Sequence, residues 1–202
     1  MNSYKEWYNT QVVVHGLVRK PVHYKIAQHQ AIMNWVGMNA TNRKVLDFGC
    51  AEGAGMLSFH YLGAENVVGL EINREKTEVA EKLGLTVEIG DLDVGMRERL
   101  LDVYGRFDVI WSSHVLEHVY DPDRTVDLLH TLLSDTGRMY IILPYIDTGD
   151  INAHCASIAL GLREDDEGES LVNWFEARGF ECVEKKFSDF REPEIWLCLK
   201  KR

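Results

Sequence analysis

"KVLDFGCAEGAGML", residues Lys44 to Leu57, begins as a short apolar strand and enters a loop that contains Gly49, Gly53 and Gly55. Glycines this closely spaced after a strand indicate that the backbone comes close to a ligand. A phosphate-binding P-loop requires a lysine directly after the last glycine, and none follows here. The dinucleotide motif G-x-G-x-x-G does not fit either, because Ala51 stands where its second glycine would be. The loop therefore belongs to another class of ligand-binding turn.

Strand-like and helical segments alternate around this loop. Five apolar runs rich in Val, Ile and Leu are predicted as strands, at residues 44–49, 66–72, 86–91, 107–113 and 137–145. Asn73 is predicted to cap a helix that ends at Gly84, and Asp121 followed by Pro122 is predicted to start another. Single helices between continuously apolar strands indicate a parallel sheet covered on both faces. Two later runs, 180–187 and 194–200, are predicted to pair as an antiparallel hairpin.

Polar side chains stand where the predicted parallel strands end. Glu71, 22 residues after Gly49, ends the second strand and can accept two hydrogen bonds from a ribose diol. Asp91 ends the third strand, where its carboxylate can accept from an adenine amino group. Ser112 and Ser113 end the fourth. Each acid alone is also explained as a turn cap or a solvated strand end, but as a spaced set they indicate a nucleoside ligand at the carboxyl edge of the sheet.

Two stretches together, DFGCAEG at 47–53 and SHVLEHVYDP at 113–122, resemble class I (Rossmann-like) S-adenosylmethionine-dependent methyltransferases. The second resembles the small-molecule branch, which carries LEH after the fourth strand. The resemblance extends from Lys44 onward. It implies one three-layer α/β/α domain at 43–202, whose mostly parallel seven-stranded sheet has the order 3-2-1-4-5-7-6 with strand 7 antiparallel. Residues 1–42 would form a helical lid or substrate segment.

The resemblance also implies which residues hold the cofactor S-adenosylmethionine and its product S-adenosylhomocysteine. Glu71 would bind the ribose, Asp91 the adenine amino group, and Leu92 would pack on the base. Ser112 and His114 would border the transferred methyl group. The remaining cofactor-binding residues implied by the family pattern are Asp47, Gly49, Cys50, Ala51, Gly53 and Ile72.

Ala51 is the one departure from the family loop, which usually has a glycine there. Alanine disfavours positive φ, so the loop keeps its function if Ala51 has negative φ, while the added Cβ atom leaves less room around the methionine portion of the cofactor. Cys50, although a thiol, is interpreted as a small residue of the cofactor loop.

Three histidines are candidate catalytic residues: His114, His118 and His154. A packing or hydrogen-bonding role also explains His118, and a role in tethering its loop also explains His154. Methyl transfer is an in-line displacement, and holding the reactants in line contributes roughly 7–11 kcal/mol, whereas a general base adds about 10²–10⁴-fold. No catalytic base is therefore obligatory, although a histidine suits deprotonation of a hydroxyl or amine near neutral pH. Asp147, Asp150 and His154 are too loosely spaced to predict a metal site.

The net charge, the apolar runs and the cysteines of the chain restrict the substrate class and the cellular location that are expected. The net charge of -10 argues against nucleic acid as the substrate. The resemblance to the small-molecule branch implies that the acceptor is a small molecule, methylated at oxygen, nitrogen or carbon. No apolar run is long enough to span a membrane, and four scattered cysteines indicate a reduced, cytoplasmic protein. Aromatic and histidine residues before residue 25 are explained equally well as part of a lid or as a helix that packs its aromatic side chains on the core. The alternative hypotheses are a non-catalytic binding protein on the same fold and a dinucleotide-dependent dehydrogenase. Acceptor identity and oligomeric state are left open.

Overall fold

Seven strands form one mixed sheet in the computed structural model, which describes residues 22–189 and 193–202. The strands are β1 (Lys44–Phe48), β2 (Asn66–Glu71), β3 (Thr86–Ile89), β4 (Phe107–Ser113), β5 (Leu133–Pro144), β6 (Phe180–Ser188) and β7 (Glu194–Lys201). Their order is β3-β2-β1-β4-β5-β7-β6. Strands β1 to β5 pair in parallel, while β7 is antiparallel to both β5 and β6. The predicted order and the reversed seventh strand are confirmed.

Six α-helices lie in the described part of the chain. They are α1 (Val22–Ala31), α2 (Ala54–Tyr61), α3 (Arg74–Lys82), α4 (Val94–Tyr104), α5 (Pro122–Leu132) and α6 (Glu169–Glu176). Both predicted caps are confirmed: the side chain of Asn73 accepts from two backbone N–H groups of α3, and that of Asp121 accepts from one in α5. Helix α3 ends two residues before the predicted Gly84. Helix α4, capped by Asp93, was not predicted.

Both faces of the sheet are covered, as the continuous apolar strands require. Val109 and Trp111 of β4 pack on one face, beneath the short π-helix Ile32–Val36 and helix α2. Ile110, the residue between them, packs on the other face with helices α4, α5 and α6. The described residues that precede β1 therefore form part of one covering layer.

The parallel strands end together at one edge of the sheet. Phe48 at the end of β1 pairs with Leu70 and with Ser112 of its two neighbours. Strand β7 runs the opposite way, so it begins at this edge, where Glu194 pairs with Pro144 at the end of β5. The edge therefore combines the last residues of the parallel strands with the first residue of β7.

Candidate active site

The loop after β1 is held open by two glycines in left-handed conformations. Gly49 has φ +81° and Gly53 has φ +83°. A Cβ atom on Gly49 would collide with the side chain of Val115, and one on Gly53 would lie 2.5 Å from Leu85 Cδ1. The N–H groups of Gly49 and Cys50 both donate to the carbonyl of Leu70, which ties the loop to β2. Glycine is therefore required for both backbone conformation and space at these two positions.

Ala51 also lies in the left-handed region, with φ +47°. The condition of a negative φ is not met: the loop retains the backbone geometry of a glycine although Ala51 carries a Cβ atom. Such a conformation is unfavourable by about 1–2 kcal/mol for an L-residue. A hydrogen bond compensates, since the Ala51 N–H donates to Oε2 of Glu71 over 3.0 Å.

Glu71 is buried at the end of β2 and binds the backbone on both sides of itself. While Oε2 accepts from Ala51, Oε1 accepts from the N–H of Asn73 over 2.8 Å. Ile72, which lies between these contacts in sequence, is half-buried. Each carboxylate oxygen has a second lone pair, so the carboxylate can still accept from a diol. Glu71 thus supports the loop, and its predicted ribose contact would be an additional role.

Asp91 and Leu92 follow β3, which ends at Ile89, two residues earlier than predicted. The Gly90 N–H donates to the carbonyl of Glu71 over 2.9 Å, which places the two acids on neighbouring chain segments. Asp91 reaches solvent, but partial desolvation raises the pKa of its carboxyl. Leu92 is buried and belongs to the apolar core on the Ile110 face. Asp91 is therefore accessible to a ligand, whereas most of Leu92 is covered by the protein.

Ser112 and His114 lie at the end of β4, beside the loop. The Ser112 hydroxyl is fully buried and has no hydrogen-bond partner among the described residues. His114 has φ +56°, and its N–H donates to the carbonyl of Ile142. Its ring Nε2 lies 2.8 Å from Oε1 of Glu194, and its Nδ1 lies 3.4 Å from Oε1 of Glu117. Both ring nitrogens therefore face carboxylates.

Glu117 is a fully buried carboxylate in the 3₁₀ turn Leu116–His118. Burial opposes its ionisation, but His118 and His114 together outweigh that effect and hold the pKa of Glu117 below its usual value. Its nearest described ring nitrogens are His114 Nδ1 and His118 Nε2, the latter at 3.7 Å from Oε1. This acid therefore links two of the three candidate histidines.

His118 and His154 are in contact although 36 residues separate them in sequence. Their ring centroids are 4.7 Å apart, with the planes at 89°. His118 Nδ1 lies 2.7 Å from the carbonyl of Ala153, and His154 Nδ1 lies 2.8 Å from Oδ2 of Asp147. Burial opposes ionisation of Asp147, but His154, the Ser157 hydroxyl and the Gly149 N–H hold its pKa far below the usual range. The structure thus brings all three candidate histidines into one cluster.

A cleft of about 250 Å³ adjoins this edge of the sheet. Its lining comprises Ala27, Gln28, Gln30, Ala31, Asn34, Trp35, Ile142, Lys186, Ser188, Glu194 and Trp196. The Lys186 ammonium lies 4.6 Å and 4.7 Å from the ring centroids of Trp35 and Trp196. A Cβ on Gly55 would lie within 3.0 Å of both Gln28 Nε2 and Asp47 Oδ2, so the cleft borders the glycine loop.

The sequence patterns missed most of this lining. Glu194 was not singled out, although it is a lone acid at the start of a strand that continues with five apolar residues and begins at the ligand edge. Its position at the start of that strand was the one available signal. Lys186 and Trp196 pair within the C-terminal hairpin, whereas Trp35 precedes them by more than 150 residues, so their meeting depends on how the hairpin joins the sheet.

Residues 23–185 match the model of a family described as "Methyltransferase domain". The chain belongs to this family. With the sheet order and the loop, the match identifies it as a class I S-adenosylmethionine-dependent methyltransferase. A ubiquinone biosynthesis O-methyltransferase of Colwellia psychrerythraea is 26% identical over 87% of this chain and 82% of its own length. One from Paraburkholderia phymatum is 32% identical over 54% of the chain. That second alignment spans 48% of the relative's length.

Solved methyltransferase structures have the same fold. The 1,6-didemethyltoxoflavin-N1-methyltransferase of Burkholderia thailandensis, with its substrate and S-adenosylhomocysteine bound, matches 98% of this chain and 86% of that chain. Its TM-score is 0.69 at 18% identity. Magnesium protoporphyrin IX methyltransferase from Synechocystis, with bound S-adenosylhomocysteine, covers 90% of this methyltransferase and 84% of its own chain, at TM-score 0.64 and 16% identity. These likenesses establish the shared fold.

The residues of this methyltransferase fit its cofactor. The glycine loop follows β1 directly, Glu71 ends β2, and Asp91 follows the end of the neighbouring strand β3. Carboxylates at these places can accept hydrogen bonds from hydroxyl and amino groups of a nucleoside. Burial, with Asp47 and Glu71 nearby, raises the pKa of the Cys50 thiol and so disfavours its reactive thiolate form.

The described residues also show the state of the cysteines and whether this part of the chain contains a metal-binding group or a membrane-spanning helix. All four cysteines are free thiols. Across residues 22–189 and 193–202, no group of three or more His, Cys, Asp or Glu side chains is arranged to hold a metal ion. Within the same ranges, no helix combines the length and apolar character that crossing a bilayer requires. The predicted lid aromatics Tyr4, Trp7, Tyr8 and His15 lie outside the described residues, as do the side chains of His23 and Tyr24.

Proposed function

We propose that this methyltransferase transfers the methyl group of S-adenosylmethionine to an oxygen, nitrogen or carbon of a small molecule. The proposal rests above all on the loop at Gly49–Gly53, with its left-handed glycines, beside the carboxylates of Glu71 and Asp91. When bound, the cofactor supplies an activated methyl group on a sulfonium, and the protein supplies orientation and electrostatics.

The cleft beside the loop is the proposed acceptor site. It lies next to the predicted cofactor contacts, because Gln28 in its wall and Asp47 both lie close to Gly55 of the glycine loop. Two indole rings and the side chain of Ile142 give it apolar surface, while Glu194 and Lys186 give it polar groups. Such a mixture is typical of small-molecule sites. Residues 1–42 are proposed to act as its lid, which Trp35 and Gln28 support by lining the cleft.

Among the three histidines, His154 has the described contact that best defines a basic ring nitrogen, although its side chain does not line the cleft. A neutral imidazole has one donor and one acceptor nitrogen. The Asp147 carboxylate accepts the proton on Nδ1 and thereby makes Nε2 the basic nitrogen. His118 uses Nδ1 to donate to the Ala153 carbonyl, and His114 faces carboxylates at both nitrogens. We therefore assign the last two to support of the site.

The relatives agree with a small-molecule acceptor. The Burkholderia structure contains 1,6-didemethyltoxoflavin, and the Colwellia relative is named for ubiquinone biosynthesis. Nucleic acid is disfavoured by the net charge of -10, which repels phosphates. The reduced thiols support a cytoplasmic location.

Calorimetric titration with S-adenosylhomocysteine tests the cofactor site. Asp91→Asn should weaken binding by roughly tenfold, because the exposed carboxylate contributes one charge-assisted hydrogen bond and little to folding. Asp102→Asn, an exposed acid on α4, is the matched control and should bind like the wild type. Equal affinity in both variants would remove Asp91 from the cofactor site.

The non-catalytic alternative makes a different prediction. Folded wild-type protein would then release no heat with S-adenosylhomocysteine at millimolar concentration, and no tested acceptor would yield homocysteine in a coupled assay. Binding of the nucleoside together with turnover of any acceptor would dismiss that alternative. Titration with reduced nicotinamide cofactor addresses the dehydrogenase hypothesis in the same instrument.

A further inference from the structure

The cleft proposed as the acceptor site carries a positive charge on Lys186 of strand β6. Among the described residues that line the cleft, Lys186 is the one lysine or arginine. Its side chain is 38% exposed, and its ammonium lies 4.6 Å from the ring centroid of Trp35 and 4.7 Å from that of Trp196. The two indole rings are 5.2 Å apart and tilted by 47°. The ammonium is therefore held beside an apolar wall and still reaches the cleft.

This ammonium has a weak anionic partner in the described part of the chain. The carboxylate within ion-pair range is that of Glu184, and the 3.9 Å between its Oε1 and the Lys186 Nζ is too long for a direct hydrogen bond. Oε2 of Glu184 accepts from the indole N–H of Trp35 over 3.0 Å. Desolvation lowers the pKa of Lys186, and the opposing effect of Glu184 is smaller. A ligand anion at this ammonium would therefore stabilise its charged form.

Glu194, the acid nearer the edge of the sheet, is directed at other groups. Its Oε1 lies 2.8 Å from Nε2 of His114, and its Oε2 accepts from the indole N–H of Trp196 over 2.9 Å. In the hairpin Lys186 pairs with Trp196, and Ser188 pairs with Glu194. Two strand residues separate these pairs, which is about 7 Å along the strands. An anion bound at Lys186 would thus be displaced from Glu194 and from the edge.

We propose that the methyl acceptor is a small organic acid whose carboxylate is bound by Lys186 and whose apolar body packs on Trp35, Trp196 and Ile142. This inference rests on the proposed function. A carboxylate can accept charge-assisted hydrogen bonds from the ammonium, while the indole rings and Ile142 supply apolar surface.

The dimensions of the cleft restrict the acid further. Its volume of about 250 Å³ lies below the range of about 300–1,000 Å³ that is typical of sites for drug-sized ligands, so the acceptor is small. Because Lys186 lies about 7 Å along the strands from the Glu194 pair, the carboxylate anchors the acceptor and is not itself methylated. The methylated atom lies at the opposite end of the acceptor.

The test compares two probes of the same shape that differ by one charge, naphthalene-2-carboxylate and naphthalene-2-carboxamide. Calorimetry at pH 7 measures the affinity of each for the wild-type protein saturated with S-adenosylhomocysteine. The acid should bind roughly tenfold more tightly than the amide, because a charge-assisted hydrogen bond is about twice as strong as a neutral one. Equal affinities, or no binding of either probe at millimolar concentration, overturn the inference.

Two variants assign the preference to Lys186. Lys186→Met keeps a side chain of similar length against the indole rings but removes the charge, so its ratio of acid to amide affinity should fall to about one. Glu184→Gln keeps an acceptor for the Trp35 N–H and removes the competing carboxylate, so its ratio should rise roughly threefold. A merely structural role of Lys186 would leave the ratio unchanged in both variants, and that result overturns the inference.

Lys200→Met is the matched control. Lys200 lies on β7, its side chain is also 38% exposed, and its ammonium pairs with Glu181 at 3.0 Å outside the cleft. This variant should retain the wild-type ratio of acid to amide affinity, and loss of the preference here would show that it does not depend on the cleft. Failure of the wild type to bind S-adenosylhomocysteine overturns the proposed function, whereas binding of S-adenosylhomocysteine without a preference for the acid overturns this inference alone.

Discussion

Replacing Glu71 should destabilise the protein before any ligand is added. In Glu71→Ala the N–H groups of Ala51 and Asn73 lose a charged acceptor that now lies 3.0 Å and 2.8 Å away. Hydrogen bonds to charged groups contribute about 1.5–3 kcal/mol each. Asn73 is buried, so its bond should count in full, whereas water can reach half-buried Ala51 and replace part of the other. We expect a loss of about 3 kcal/mol.

Urea unfolding followed by tryptophan fluorescence measures this loss. With a slope of about 2 kcal/mol per molar urea, the midpoint should fall by roughly 1.5 M. Glu71→Gln keeps one acceptor oxygen and should lose about half as much. Glu78→Ala removes an exposed acid from the neighbouring helix and should change stability by less than about 0.5 kcal/mol. A loss below about 1 kcal/mol in Glu71→Ala would refute the idea that this carboxylate holds the loop.

The affinity of Glu71→Ala for S-adenosylhomocysteine depends on two separate roles of this carboxylate. Weaker binding of S-adenosylhomocysteine to Glu71→Ala would combine a lost ribose contact with a disordered loop. A double-mutant cycle with Ala51→Gly separates them, because glycine tolerates the left-handed conformation without the anchoring bond. Affinity recovered by the second substitution would identify the loop as the cause, and affinity that stays low would identify the ribose contact.

Three more outcomes are expected. Ala51→Gly alone should leave the free energy of unfolding within about 1 kcal/mol of the wild type in urea titrations, because relief of the left-handed strain offsets the greater entropy of the unfolded chain. Asp147 has a depressed pKa, so the stability it contributes is present above the unfolded value of about 3.9 and is lost as pH falls toward its folded value. Asp147→Asn should therefore show a flatter decline in urea midpoint below about pH 5 than the wild type, and equal slopes would contradict this. Cys50 should react with iodoacetamide at pH 8 more slowly than half-buried Cys182, because burial raises the pKa of the Cys50 thiol and shields the sulfur from the reagent. Peptide mass spectrometry measures both labelling rates, and faster labelling of Cys50 would disprove this prediction.

The sheet could be predicted from sequence because its signals are local. Most parallel strands are continuous apolar runs, and the side chains of Asn73 and Asp121 cap the helices that follow them. Helix α4 was not predicted, because Leu100 is its one fully buried residue and its sequence therefore lacks a strong apolar stripe. Strand β5 begins at Leu133, four residues before the predicted start, across the polar residues Ser134 and Asp135.

The site was predicted less completely, for a physical reason. Glu71 and Asp91 could be found because they follow strands that end at one edge. The conformation of Ala51 could not, since its positive φ depends on a bond to a carboxylate 20 residues away. Neither could the contact of His118 with His154, or that of His114 with Glu194, 80 residues downstream. Such pairings are set by tertiary packing.

The reversed direction of β7 has a consequence for how the protein is made. Glu194 is 147 residues downstream of Asp47, yet it reaches the same edge because β7 starts there and pairs with Pro144. A nascent chain on the ribosome could form the glycine loop and the first five strands without this carboxylate. Until β7 emerges and pairs, His114 has Glu117 but lacks its partner from the hairpin. The contact between Glu194 and His114 can therefore form only after β7 has been synthesised.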